Sequence, residues 1–238
     1  MSALFEELDY RVTPMGAISL RRRRVLSLGV DVFEVMLGDE HLMSTLFTEG
    51  EIALARLGLA ATKGGELDVV VGGLGLGYTA RAALDEPRVR SVTVVDYMEA
   101  VIDWHRRGLV PLGERLAGDP RCRLVQGDFF AMAAGEGFDP ATPGRRFDAV
   151  LLDIDHSPRA LLSAAHGGFY APDGLARMAA KLVPGGVFAL WSDEAPDPEF
   201  ERALATVFAD EEATVVDFDN PLTGDRSTCT IYVARKAG

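Results

Sequence analysis

Basic residues are scarce in this sequence: 24 Lys and Arg stand against 36 Asp and Glu, a formal charge of −12 at pH 7. A surface of that sign repels phosphate backbones, which excludes nucleic acid as an expected partner and favours a neutral or cationic small molecule. Cysteine is nearly absent. The two present, Cys122 and Cys229, lie far apart without CxxC spacing, so neither a disulfide framework nor a zinc site is signalled. His41 and His166 have no metal-ligand partners at a recognisable spacing, so no metal is expected. Long hydrophobic runs are missing as well. No apolar stretch approaches the roughly 18 residues of a membrane span. The leading MSALFEELDY carries acids where a secretory signal would carry bases. These absences predict a cytoplasmic protein with no membrane partner.

What is present suits one α/β core. A chain of 238 residues with 48% hydrophobic content buries a substantial interior, and open α/β sheets of this length form one main domain. Residues 1–50 read as a short β appendage: Ile18 to Leu28 and Val30 to Leu37 are β-rich runs joined around Gly29 and followed by a Gly38-Asp39 turn. Arg21 to Arg24 read either as a basic docking patch or as an ion-paired solvated strand face, and the acidic surroundings favour the second. The exposed edges of such an appendage favour a homodimer. A helix is predicted over Glu49 to Leu59.

From residue 51 to 238, strands and helices alternate. Strands are predicted at Leu67–Gly72, Ser91–Asp96, Cys122–Gln126, Phe147–Asp153 and Gly186–Trp191, with apolar runs that suit strands covered on both faces. Helices are predicted over Tyr78–Leu84, Met98–Arg107, Leu175–Leu182 and Glu199–Phe208. Thr214–Phe218 and Thr228–Ala234 lie too close for a helical crossover and read as a hairpin around Asn220, Pro221 and Gly224. The fold class is therefore α/β: a Rossmann-like, mostly parallel seven-stranded sheet with a C-terminal antiparallel hairpin and a short N-terminal β appendage.

In such sheets ligands bind outside the carboxyl ends of the strands, so the residues just after each strand form one set. After the first come Gly72-Gly73-Leu74-Gly75-Leu76-Gly77, where missing side chains let backbone approach a ligand. Asp96 ends the second and suits ribose hydroxyls, with Tyr97 beside it to lie against an adenosine. Asp128 and Phe129 follow the third and present a carboxylate and a ring to an adenine. After the fourth comes an unusually polar turn, Asp153-Ile154-Asp155-His156-Ser157-Pro158. His156 reads either as a base or as a loop histidine bonding backbone. Asp155 reads either as a ligand for a substrate cation or as a turn cap. Dinucleotide binding is disfavoured, because counting G-x-G-x-x-G from Gly73 puts Tyr78 in the last glycine position.

Gly73-x-Gly75-x-Gly77 resembles motif I of the class I S-adenosylmethionine-dependent methyltransferases, whose sheet also ends in a hairpin. Within them the chain is similar to the spermidine synthase-like proteins from about Val32 to Leu190. Leu37-Gly38-Asp39-Glu40, Glu49-Gly50-Glu51, Val70 to Gly77, Asp148 to Pro158, Phe169-Tyr170 and Leu182 to Val187 carry the likeness. The resemblance implies that Gly73, Gly75 and Gly77 meet the methionine-derived part of the nucleoside, Asp96 the ribose and Asp128 the adenine. It also implies that Asp153 matches the first acid of a D-x-x-D element that orients or deprotonates an attacking amine. His156 stands in place of the second acid, with Asp155 one residue early.

Two departures matter. The family's glycine loop carries an aspartate, GGGDGG, whereas this loop reads GGLGLG; and its Tyr-His-Glu element is Glu49-Gly50-Glu51 here, keeping only the last acid. The expectation is a transferase using S-adenosylmethionine or decarboxylated S-adenosylmethionine to move a methyl or related alkyl group to a small amine-bearing acceptor, distinct from a standard spermidine synthase. The alternatives are a true polyamine aminopropyltransferase and a non-catalytic nucleoside-binding protein.

Overall fold

The computed structural model describes residues 4–238; the first three residues of the expected 1–50 appendage, and of its acidic leading stretch, lie outside that range. The N-terminal part is a four-stranded antiparallel sheet in sequence order: β1 (Phe5–Thr13), β2 (Gly16–Val25), β3 (Val30–Leu37) and β4 (Glu40–Ser44). Ile18, Leu20 and Val35 are buried on its inner face and join the core of the rest of the chain. On β2 the arginine run faces acids of neighbouring strands: Arg22 reaches Glu6 at 2.7 Å, Arg23 reaches Glu34 at 2.6 Å and Arg24 reaches Asp31 at 3.2 Å. This is the ion-paired strand face. β1 and β4 were not anticipated. FEELDYRVT is an edge strand too rich in charge to show an apolar alternation, and β4 has only five residues.

The second sheet has the order β10-β11-β9-β8-β5-β6-β7. Its strands are β5 (Leu67–Gly72), β6 (Val89–Asp96), β7 (Cys122–Gln126), β8 (Phe147–Leu152), β9 (Leu182–Ser192), β10 (Asp210–Asp219) and β11 (Arg226–Arg235), and only β11 runs against the others. Every residue of β5 is buried. Side chains alternate along it: Val69 and Val71 enter one core with Ala149, Leu151 and Ala189, while Val70 enters the other with Val150, Leu152 and Phe188. That period of two, with both faces covered, is why the strand reads as a continuous apolar run.

The first core is covered by α1 (Glu49–Ala61), α2 (Tyr78–Asp85), α3 (Glu99–Arg106) and α4 (Gly113–Gly118); the second by α5 (Phe129–Ala134), α6 (Gly167–Tyr170), α7 (Pro172–Ala179) and α8 (Pro198–Ala205). Helices α4 to α6 are at most six residues long, too short to show a helical period, and the sequence did not announce them. The helix expected to reach Leu182 stops at Ala179, because Leu182 already pairs with Phe147 at the start of β9. The chain moves from β5 outward to β6 and β7, then returns to place β8 on the other side of β5. That reversal opens a crevice at the strand ends, where α/β sheets bind ligands. Among the described residues no helix is long and apolar enough to cross a membrane.

α1 lies directly on the sheet through Gly58, where a Cβ would stand 2.6 Å from Leu151 Cδ2 and 3.0 Å from the Ala189 Cβ. Alanine is the better helix former by about 1 kcal/mol, but overpacking a closed interior costs about 1–3 kcal/mol. Gly58→Ala is therefore expected to lower stability by about 1 kcal/mol in urea unfolding, against its helix propensity. A variant at least as stable as the parent would show that the helix can lift off the sheet at no cost.

Candidate functional site

The glycine loop leaves β5 in left-handed steps, with φ of +92° at Gly73 and +46° at Gly75. Gly73 has no room for a side chain: a Cβ there would stand 2.0 Å from the backbone oxygen of Asp153. At Gly75 the space is taken by Met43 of β4, whose Sδ would lie 2.2 Å from an added Cβ and which accepts the Leu76 N–H at 3.2 Å. The N-terminal sheet thus supplies a lid side chain to the loop. Gly77 packs away from the opening, against Leu116 and His105. His105 is fully buried beneath the loop. Burial holds its imidazole below the ordinary range, so the neutral ring donates Nε2–H to the Gly75 carbonyl at 3.0 Å.

Asp96 ends β6 with its carboxylate against this loop. One oxygen accepts the Leu74 N–H at 2.9 Å and the other the Met98 N–H at 2.7 Å. Burial pushes its pKa up, and these amides oppose the shift. With the Gly75 N–H as a third amide at the carboxylate, an acceptor position still remains for a ribose hydroxyl. Tyr97 is half-exposed beside it. Asp128 caps α5: one oxygen accepts the N–H groups of Phe130 and Ala131 at 2.9 and 3.1 Å, leaving the other without a protein partner among the described residues. Phe129 reaches the same opening but is largely a core residue, stacked on Phe138 with ring centroids 4.8 Å apart.

The residues after β8 separate. Asp153 points into the crevice and accepts the Thr79 hydroxyl hydrogen at 2.8 Å. Burial pushes its carboxyl up to about 6. Glu51, in the first turn of α1, faces the same space, and burial together with the Asp153 charge pushes it up to about 8. His156 lies on the rim, bonded through Nε2 to Glu40 at 2.7 Å. Asp155, expected among the catalytic group, does not line the crevice. It is turned into the protein, where its oxygens accept the Leu162 N–H, His166 Nδ1–H and Tyr170 hydroxyl hydrogen, each at 2.8 Å. The carboxylate is consumed in fixing the loop that leads to α6.

Together these groups line a cavity of about 470 Å³, a volume suited to a small molecule. Its walls include Ile18, Leu42, Val101, Trp191 and Phe218, and among the described residues on them there is no Lys or Arg. Gly73, Gly75, Asp96, Tyr97, Asp128, Phe129, Asp153 and His156 all border it; Gly77 and Asp155 do not. Sequence reasoning did not place Met43, Thr79 or His166 in the site, and it noted Glu51 without a role. Met43, Thr79 and His166 belong to no motif; Glu51 carried a signal, as the acid left in an altered element. Among the described residues no group of His, Cys, Asp and Glu is arranged to hold a metal ion.

No family model matches the chain. Polyamine aminopropyltransferase 2 of Pseudomonas aeruginosa is 28% identical over 152 residues, a stretch that covers 60% of this chain and 40% of that protein. Three solved structures share the fold. A spermidine synthase from Thermotoga maritima superposes with a TM-score of 0.70 at 15% identity, covering 97% of this chain and 72% of that one. A spermidine synthase in complex with the transition-state analogue AdoDATO gives 0.71 at 17%, covering 97% and 74%. A probable spermidine synthase from Corynebacterium glutamicum gives 0.64 at 17%, covering 98% and 81%. The chain therefore has the fold of the spermidine synthase structures, which fits the class I S-adenosylmethionine-dependent methyltransferase-like fold.

Proposed function

We propose that this protein is a group transferase that moves an aminopropyl group from decarboxylated S-adenosylmethionine to a small amine. The observation that carries the reading is the half-buried Asp153 carboxylate, which shares with Glu51 the crevice that also holds the glycine loop and Asp96. An alkylammonium has no lone pair. It must lose a proton before its nitrogen attacks the carbon next to a sulfonium, and the C–S bonding pair then leaves on sulfur as a neutral thioether. Burial raises both carboxyls toward neutral pH, so the pair holds protons more tightly than free acids do, and its ionised member can accept that proton. Thr79 holds one Asp153 oxygen and leaves the other for the amine.

The walls bear on the donor. The missing loop aspartate at Gly75 removes one reason to prefer the decarboxylated molecule, but an intact amino-acid carboxylate would enter a cavity whose walls offer acids and no Lys or Arg. Two buried acids suit an ammonium and oppose a carboxylate. This favours aminopropyl over methyl transfer. Methyl transfer to an amine is the second reading, supported by the same nucleoside-facing groups and by the glycine at 75. Product analysis with putrescine and spermidine, using each donor in turn, separates the two. Transfer only from ordinary S-adenosylmethionine would overturn the first, and no transfer from either to any amine would overturn both.

Three outcomes follow for the acids. Asp153→Asn keeps the shape and removes the charge, so turnover is expected to fall by about 10²- to 10⁴-fold while thioether binding by calorimetry changes by only a few-fold. Thr79→Val removes a hydrogen bond to the ionised Asp153 and raises its pKa. The acid limb of the kcat/KM profile should then move up by on the order of one unit, and Thr79→Ser should restore it. For stability, both carboxyls have folded pKa values above their unfolded ones. Their contribution is present at low pH and is lost as pH rises through about 6 and about 8. The unliganded protein should therefore lose Tm across that range, Glu51→Gln should flatten the upper part of the loss, and amine affinity should rise over the same interval. A Tm profile identical in Glu51→Gln and wild type would remove Glu51 from the pair.

A further inference from the structure

The crevice has two ends. Asp153 follows β8 and Asp128 follows β7, three strand spacings away across β5 and β6, or about 14 Å. At the Asp128 end the chain builds an aromatic shelf: the His166 ring stacks on Phe130 with centroids 3.9 Å apart and planes 23° apart, and both rings line the cavity. His166 is fixed from behind. Asp155, with no side-chain exposure, also accepts from the Leu162 N–H and the Tyr170 hydroxyl. A carboxylate has no hydrogen to give, so Nδ1 of His166 carries the hydrogen of the 2.8 Å contact. In the neutral ring Nε2 is then an acceptor, and it has no partner among the described residues. Asp128 offers a second unpartnered acceptor oxygen beside the same shelf.

Two acceptors on one side of the cavity suit the edge of a planar heterocycle bearing an exocyclic amine, one N–H for each; the Nε2 lone pair lies in the imidazole plane, so the heterocycle meets His166 edge to edge. We propose that His166, positioned by Asp155, is a base-specificity residue whose Nε2 accepts a hydrogen bond from the exocyclic amine of the donor's purine. This rests on the nucleoside-transferase reading above and assigns a role to the two residues which that reading leaves unused. It gives a role to the one contact that the buried Asp155 makes with a side chain of the cavity wall: the bond selects the His166 tautomer and holds the ring parallel to Phe130.

The test is equilibrium binding of 5′-methylthioadenosine and of its 6-deamino purine analogue to the wild-type protein, His166→Phe and His166→Gln. The wild type is expected to prefer the amino compound by tenfold or more. His166→Phe, which keeps the stacked ring and removes the nitrogen, should reduce that preference about tenfold while leaving affinity for the deamino analogue within a few-fold. His166→Gln, with an acceptor oxygen, should recover part of it. The ratio of two ligands on one variant is insensitive to any loss of stability from the broken Asp155 contact. An undiminished preference in His166→Phe, or a wild type that binds both compounds equally, overturns the role of His166 alone. A wild type that binds neither overturns the nucleoside reading and this inference with it.

Discussion

The glycine loop and the end of β8 meet through backbone alone. Asp153 donates its N–H to the Gly72 carbonyl at 2.8 Å, and its own carbonyl oxygen occupies the space where a side chain at 73 would stand. Because β5 and β8 are neighbours in the sheet, this contact brings the loop within reach of the acid that follows β8. Everything that gives the crevice its chemistry depends on that closeness. Thr79, in the first turn of the helix opened by the loop, reaches Asp153, and Asp96 ties the other side of the loop to the start of α3. A residue other than glycine at 73 would push the two strand ends apart, and the carboxylate would lose both its hydroxyl donor and its dry surroundings.

Dryness sets the acid–base character of the site. Glu51 and Asp153 have no cation in salt-bridge reach among the described residues, so burial raises the proton affinity of both, and the Asp153 charge adds to it at Glu51. The same groups in water would be fully ionised and indifferent bases. The acidic surface elsewhere behaves differently: the arginines of β2 and the acids facing them are solvated pairs worth little individually. The charge of −12 sets the sign of the field around the crevice, while two buried carboxyls set its chemistry.

The N-terminal sheet is also part of the crevice. Met43 caps Gly75, Ile18 and Leu42 line the cavity, and Glu40 anchors His156 on the rim. The rim histidine thereby links the loop after β8 to the β3–β4 turn, so the opening of the cavity and the docking of the small sheet are one structural matter.

The sequence by itself determined where the main strands lie along the chain, the glycine loop and the acids at the strand ends, because each is a local pattern. A buried parallel strand is a run of valines, a tight turn needs glycine, and Asp96, Asp128 and Asp153 follow directly from where their strands stop. Tertiary structure alone decided which polar groups share one space. Asp155 and Asp153 are two residues apart, yet one turns into the protein and the other into the crevice, because the chain bends after β8 and breaks the alternation that would put both on one side. Glu51 meets Asp153, Met43 meets Gly75 and His166 meets Phe130 only when α1, β4 and the loop before α6 fold over the sheet. No periodicity records such meetings, since they arise from packing between segments distant in the chain.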